Sequence, residues 1–129
     1  MNLDLLPPDP GAERYVYDDV QLLRVVDGDT LRLRFPLPFN ALVDLDVRLL
    51  GINAPEKVGA SRAEGEAAKA HMQALLRGCD GLRARSHRTD RYGRYLAEVW
   101  ARYGPLWVNL SAAMLAAGHA VEYDGGARS

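Results

Sequence analysis

Two runs within residues 31–49 alternate apolar and charged side chains: Leu31, Leu33 and Phe35 with Arg32 and Arg34, then Val43, Leu45, Val47 and Leu49 with Asp44, Asp46 and Arg48. A period of two is the signature of a strand, because successive side chains point to opposite faces and only one face is apolar. Pro36-Leu37-Pro38-Phe39-Asn40 separates the runs and cannot continue either of them. Tyr15 to Val26, rich in Val, Tyr and Leu, predicts a further strand ahead of them, and Asp27-Gly28-Asp29 is the turn between. After the third strand, Gly51 to Pro55 must leave the sheet, since Pro55 has no amide hydrogen to give a ladder.

The period then changes. Ser61-Arg62-Ala63-Glu64 matches a capping box, in which the Ser and Glu side chains satisfy orphan amides at a helix start. Ala63, Ala67, Ala70 and Ala74 recur on one helical face with Leu75 beside them, and Gly78 is a plausible stop. Leu82 to Thr89 and Tyr95 to Ala101 predict two more strands about the turn Asp90-Arg91-Tyr92-Gly93, and Val108 to Ala117 a second helix ended by Gly118. The order of three strands, helix, two strands, helix predicts a mainly β fold with helices: a small closed β-barrel (OB-fold) of five strands with two or three α-helices. The expected organisation is an irregular arm over 1–13, a barrel domain over 14–124 and a flexible tail over 125–129.

Composition bounds what such a barrel can do. With 129 residues, 48% of them hydrophobic, one domain with a real core is expected. The longest apolar runs fall far short of the roughly 20 residues of a membrane span, so no membrane association is expected. The N-terminal residues lack a basic segment and a long apolar stretch, and with the initiating Met1 they predict a cytoplasmic protein. Cys79 is the single cysteine, so no internal disulfide and no thiolate metal cluster can form. One closed barrel needs no second copy, so a monomer is expected. The net charge of −1 does not advertise a nucleic-acid binder, but its distribution is uneven. Residues 1–30 carry seven acids against two arginines, and residues 77–102 carry seven arginines against three acids. Arginine suits bidentate phosphate contact, although a solvated charged hairpin would have the same composition.

Three segments stand in register: Val26-Asp27-Gly28-Asp29-Thr30, Arg48-Leu49-Leu50-Gly51-Ile52-Asn53-Ala54-Pro55-Glu56, and Arg88-Thr89-Asp90-Arg91-Tyr92-Gly93-Arg94. In this order and at these separations they resemble the staphylococcal nuclease-like (thermonuclease) family, and the likeness runs from about Leu22 to Tyr123. Met114-Leu115-Ala116-Ala117-Gly118-His119-Ala120 also looks like that family's last helix and the turn after it.

The resemblance implies a calcium-dependent nuclease acting on DNA, RNA or both and leaving a 3′-phosphate. A phosphodiester is protected by its own charge, which hard cations held by oxygen ligands can cancel. Asp29 matches the first metal-ligating carboxylate, and Asp27, two residues earlier, would add negative potential close by. Arg48 and Arg94 match the two catalytic arginines, whose planar guanidinium groups can grip phosphate oxygens and stabilise a five-coordinate transition state. Arg48 lies opposite the apolar face of its strand, so it is expected to point outward into a cleft. Glu56, aimed by the stiff Pro55, matches the residue that orients or deprotonates the attacking water. Tyr92 and Tyr123 match positions flanking the nucleotide, and the approach to Tyr123 differs in length. Taken singly, each position has a plainer reading: a DG turn bonding its own amides, an edge arginine, a packing tyrosine.

One departure matters. The second metal-ligating aspartate of the family falls on Asn53, beside the carbonyl ligand of Ala54. An amide oxygen can coordinate calcium but brings no charge, which should weaken binding by roughly one to two orders of magnitude. Three readings follow: an enzyme with weaker calcium affinity, one that recruits another acid, or a catalytically weakened barrel that binds nucleic acid or a protein partner. His71, His87 and His119 have no ligand spacing, Cys79 has no histidine nearby to make it a nucleophile, and Trp100 and Trp107 are expected in the core.

Overall fold

The computed structural model describes residues 15–56, 59–87, 89 and 93–123. The expected arm over 1–13, the tail over 125–129 and the turn residue Tyr92 lie outside the described residues. The elements run β1 (Val16–Asp27), β2 (Thr30–Pro36), β3 (Leu42–Leu49), β4 (Ile52–Asn53), α1 (Arg62–Arg77), β5 (Gly81–Ser86), β6 (Tyr95–Tyr103), β7 (Leu106–Asn109), α2 (Leu110–Ala116) and β8 (Val121–Glu122). The alternating runs form β2 and β3, paired antiparallel without interruption from Thr30↔Arg48 to Pro36↔Leu42. Their outward charges face each other across the ladder: Arg32 meets Asp46 at 3.0 Å, and Arg34 grips Asp44 through two bonds of 2.7 and 2.9 Å. The Arg34 pairing holds the Asp44 carboxyl below its ordinary pKa.

β1 pairs antiparallel with β2 through its second half and with β5 through its first half. It manages both by bending, with register shifts between Tyr17 and Val20 and between Leu22 and Arg24 and with Asp19 at φ 57°. β5 pairs antiparallel with β6, and β6 runs parallel to the end of β3, Val47↔Tyr95 to Leu49↔Ala97. That last pairing closes five strands, in the order β3-β2-β1-β5-β6, into the expected OB-type barrel. The inward residues Leu31, Leu33, Phe35, Val47, Leu49, Leu82, Ala84, Ala97, Val99 and Ala101 fill it, with Met72 of α1 and Leu110 and Met114 of α2 packed against them. Each large side chain in that set contributes about 1.5–3 kcal/mol by leaving water.

Three local expectations are corrected, and the buried face of α1 is settled. Ser61 makes no side-chain cap bond; its hydroxyl donates to the Glu56 carbonyl at 3.0 Å, because the turn Gly59–Ser61 carries the chain into α1 without the extended geometry a capping box needs. The alanine face of α1 is turned to solvent, and Gly65, Ala68, Met72 and Leu76 are buried instead. Val108 belongs to β7, a strand absent from the sequence reading, and α2 begins only after Asn109, whose side chain accepts from the Ala112 amide at 3.0 Å. Finally, Trp107 is exposed and Trp100 half-buried. Val99 and Ala101 take the inward positions, so Trp100 faces out beneath Arg85, and Arg83 lies 4.4 Å above the Trp107 ring.

Candidate active site

The Asp27-Gly28-Asp29 turn joins β1 to β2 at the end of the barrel where α1 crosses. A Cβ on Gly28 would lie 2.8 Å from the Cβ of Ala68 and 3.0 Å from that of Ala54, so glycine is what lets the turn sit between the helix and the segment after β4. Wedged there, Asp29 is buried, at 5% exposure. Its Oδ1 accepts from the Thr30 hydroxyl at 3.0 Å, and its Oδ2 accepts from the Ala54 amide at 2.8 Å and from Nη1 of Arg48 at 2.9 Å.

Arg48 leaves β3 on the outer side of the barrel, as the alternation requires, yet it is only 7% exposed. β4 and β8 explain the difference. They pair antiparallel, Ile52↔Glu122 and Asn53↔Val121, and the Tyr123 amide donates to the Gly51 carbonyl at 2.9 Å. This small ladder lies over the guanidinium, with the Tyr123 ring 5.5 Å from its Cζ. Arg48 Nη2 donates to the Ile52 carbonyl at 3.1 Å and to the Asn53 side-chain oxygen. A charged pair this deep is offset by good geometry only, and removing one partner alone costs about 3–5 kcal/mol.

Asp27, Asp29, Thr30, Arg48, Asn53, Ala54, Pro55, Glu56, Ser61 and Arg94 line a single cavity of about 700 Å³. Arg94 immediately precedes β6, so the parallel pairing of β6 with β3 is what carries it to the Arg48 end of the barrel. Glu56 and Arg94 are exposed at the rim, whereas Asp29 and Arg48 form the floor. Three carboxylates face two guanidinium groups there, a net −1. Such a cavity can hold a cation against its acids and a phosphate against its arginines.

The sequence-predicted residues Asp27, Asp29, Arg48, Asn53, Ala54, Glu56 and Arg94 therefore meet at one cavity, with Tyr123 covering Arg48 from behind. Two contributors were missed. Thr30, bonded to Asp29, was legible as the residue that follows the turn. The Ile52 carbonyl carried no sequence signal, because backbone acceptors are the same at every position. His71 and His119, far apart in the chain, stack with centroids 4.6 Å apart. Among the described residues no group of three or more His, Cys, Asp or Glu side chains is gathered closely enough to hold a metal by itself. Among the described residues, no helix is long and apolar enough to cross a membrane.

Residues 46–128 match the family model described as staphylococcal nuclease homologue. The chain is also similar to protein ParB of Escherichia coli, at 38% identity over 117 residues, covering 80% of this chain and 56% of that protein. It thus spans little more than half the length of that relative.

Proposed function

Because this chain belongs to the staphylococcal nuclease homologue family, we propose that it is a metal-dependent nuclease that hydrolyses phosphodiester bonds in DNA or RNA. The observation that carries this reading is the convergence of Asp29, Arg48, Glu56 and Arg94, contributed by four separate segments, on one cavity. Burying the Asp29–Arg48 pair costs about as much as their attraction returns, so stability gives no reason to gather these charges, and a phosphodiester cleft does.

Calcium is the proposed cofactor, and the donor set suits it: the carboxylates lining the cavity are hard oxygen donors, and among the described residues no imidazole or thiolate lines it. Asp29 and the Ala54 carbonyl would hold the ion, with Asp27 adding negative potential nearby. When bound, it would offset the phosphate's charge and polarise a phosphoryl oxygen. The protein's own groups do the rest. Arg48 and Arg94 hold the phosphate oxygens from two sides and stabilise the charge that builds on them during attack. Glu56, exposed at the rim, orients a water and takes its proton as the new P–O bond forms and the bond to the 5′ oxygen breaks, the leaving oxygen taking a proton from solvent. Tyr123, whose ring lies against Arg48, would reach the nucleotide only beside that guanidinium, and the Tyr92 role carried over from the family falls outside the described residues.

The test is digestion of plasmid and of single-stranded nucleic acid by the purified protein, in calcium and in chelator. Cutting should require calcium and fall by roughly 100-fold or more in Glu56→Gln, a loss typical of a missing general base. A second reading, a barrel that binds nucleic acid without cutting, is favoured by the neutral Asn53 in place of an acid. Retained binding with no cleavage at any calcium concentration would select it.

A further inference from the structure

The geometry points to Asn53 as the residue that aims the Arg48 guanidinium at the phosphate, rather than as a ligand of the metal. Arginine has donors only, so the group facing its Nη2 must be the Asn53 oxygen. The amide's one acceptor atom therefore already faces a cation, with a single lone pair left over. A divalent ion on the same neutral oxygen would sit beside a guanidinium with no carboxylate between them, which electrostatics disfavours. The amide's other end is an NH2 group, which donates to anions and repels metals.

The mounting of Asn53 fits that task. Its backbone is paired to Val121 in β8, its neighbour Ile52 is 1% exposed, and the Ile52 carbonyl takes another hydrogen of the same Nη2. With Asp29 on Nη1, three of the five N–H groups are tied to fixed acceptors, which leaves two for substrate oxygens. Rotation about the Nε–Cζ bond would break all three ties together. Asparagine does this without adding charge. An aspartate could accept the same bond, but it would bring the cavity's net charge from −1 to −2.

This assignment rests on the nuclease reading for its kinetic consequence only. The experiment follows Arg48 directly, by nitrogen-15 NMR of arginine side chains in the full chain. Wild-type Arg48 should show separate, slowly exchanging Nη protons. In Asn53→Ala, which leaves only the Asp29 and Ile52 ties, they should exchange several-fold faster, and in Asn53→Asp, which retains an acceptor, the slow exchange should return. Calcium affinity of Asn53→Ala, measured by calorimetric titration, should stay within about twofold of wild type. Its kcat should fall roughly 10- to 100-fold, the scale of a misplaced catalytic group, with a smaller change in KM. Circular dichroism melting shows whether each variant is folded. Unchanged Arg48 signals in Asn53→Ala overturn the assignment, as does a tenfold loss of calcium affinity in that variant. A wild-type protein that cuts nothing would sink the nuclease reading alone, because the NMR readout needs no turnover.

Discussion

Asp29 and Arg48 are each more than nine-tenths buried, and each is the other's charged partner at 2.9 Å. Desolvating two ions costs several kcal/mol apiece, and their attraction recovers this only while both are present. Asp29→Ala should therefore destabilise the protein by about 3–5 kcal/mol in urea unfolding, because it leaves a buried guanidinium unpaired. The double variant Asp29→Leu/Arg48→Met should recover most of that loss while remaining inactive. A double variant no more stable than Asp29→Ala would show that the pair is not what the single substitution breaks. At this scale the sequence was partly legible. Asp29 and Arg48 were singled out by motif, but Arg48 was expected in an open cleft. Nothing in the order of residues says that β8, more than seventy positions later, lies across it.

Among the elements, the parallel contact between the end of β3 and the start of β6 matters most, since it both closes the barrel and brings Arg94 to Arg48. Alternation predicted β2 and β3; the partner of each strand was not predictable from alternation, which fixes only which face is apolar. β7 was missed because Leu106–Asn109 is too short to display a period. The buried side of α1 was not legible for a related reason: alanine is a good helix former with little apolar area, so it marks a helix without marking its buried side. The C-terminal end of α1 is tied to β6 by the Tyr103 hydroxyl, which donates to the Leu75 carbonyl. Burial, and secondarily the nearby Cys79 thiol, raises the Tyr103 pKa above the ordinary 10.0. An acid held protonated in the folded state stabilises it fully below the unfolded value, and that contribution is lost as pH rises from about 10 through the folded one. Tyr103→Phe should cost about 1 kcal/mol at neutral pH for the lost hydrogen bond. It should also flatten the decline of the urea midpoint above about pH 10. An unaltered alkaline decline would remove Tyr103 from that account.

Across the whole molecule, two arginines of the 77–102 surplus are held by neighbouring acids. Arg83 pairs with Asp18 and Arg85 with Glu98, and both lie against tryptophan rings. The arginines that line the cavity, Arg48 and Arg94, are then the expected phosphate contacts. With Arg48 and Arg94 as two contacts, binding to single-stranded nucleic acid should fall with salt at a log–log slope of about −1.4. Arg94→Gln should halve that slope, whereas Arg83→Gln should leave it unchanged; a slope near −4 in the wild type would mean that the outer arginines also take part. By itself the sequence determined the strands, the turn that presents Asp29, and the chemical identity of the groups that meet at the cavity, because period and residue type are local properties. Tertiary structure alone decided that Arg48 is buried, that Asn53 turns its oxygen to an arginine, and that Arg83 and Arg85 are paired. Each of those depends on which distant segment lies within about 3–4 Å, the hydrogen-bond and ion-pair range.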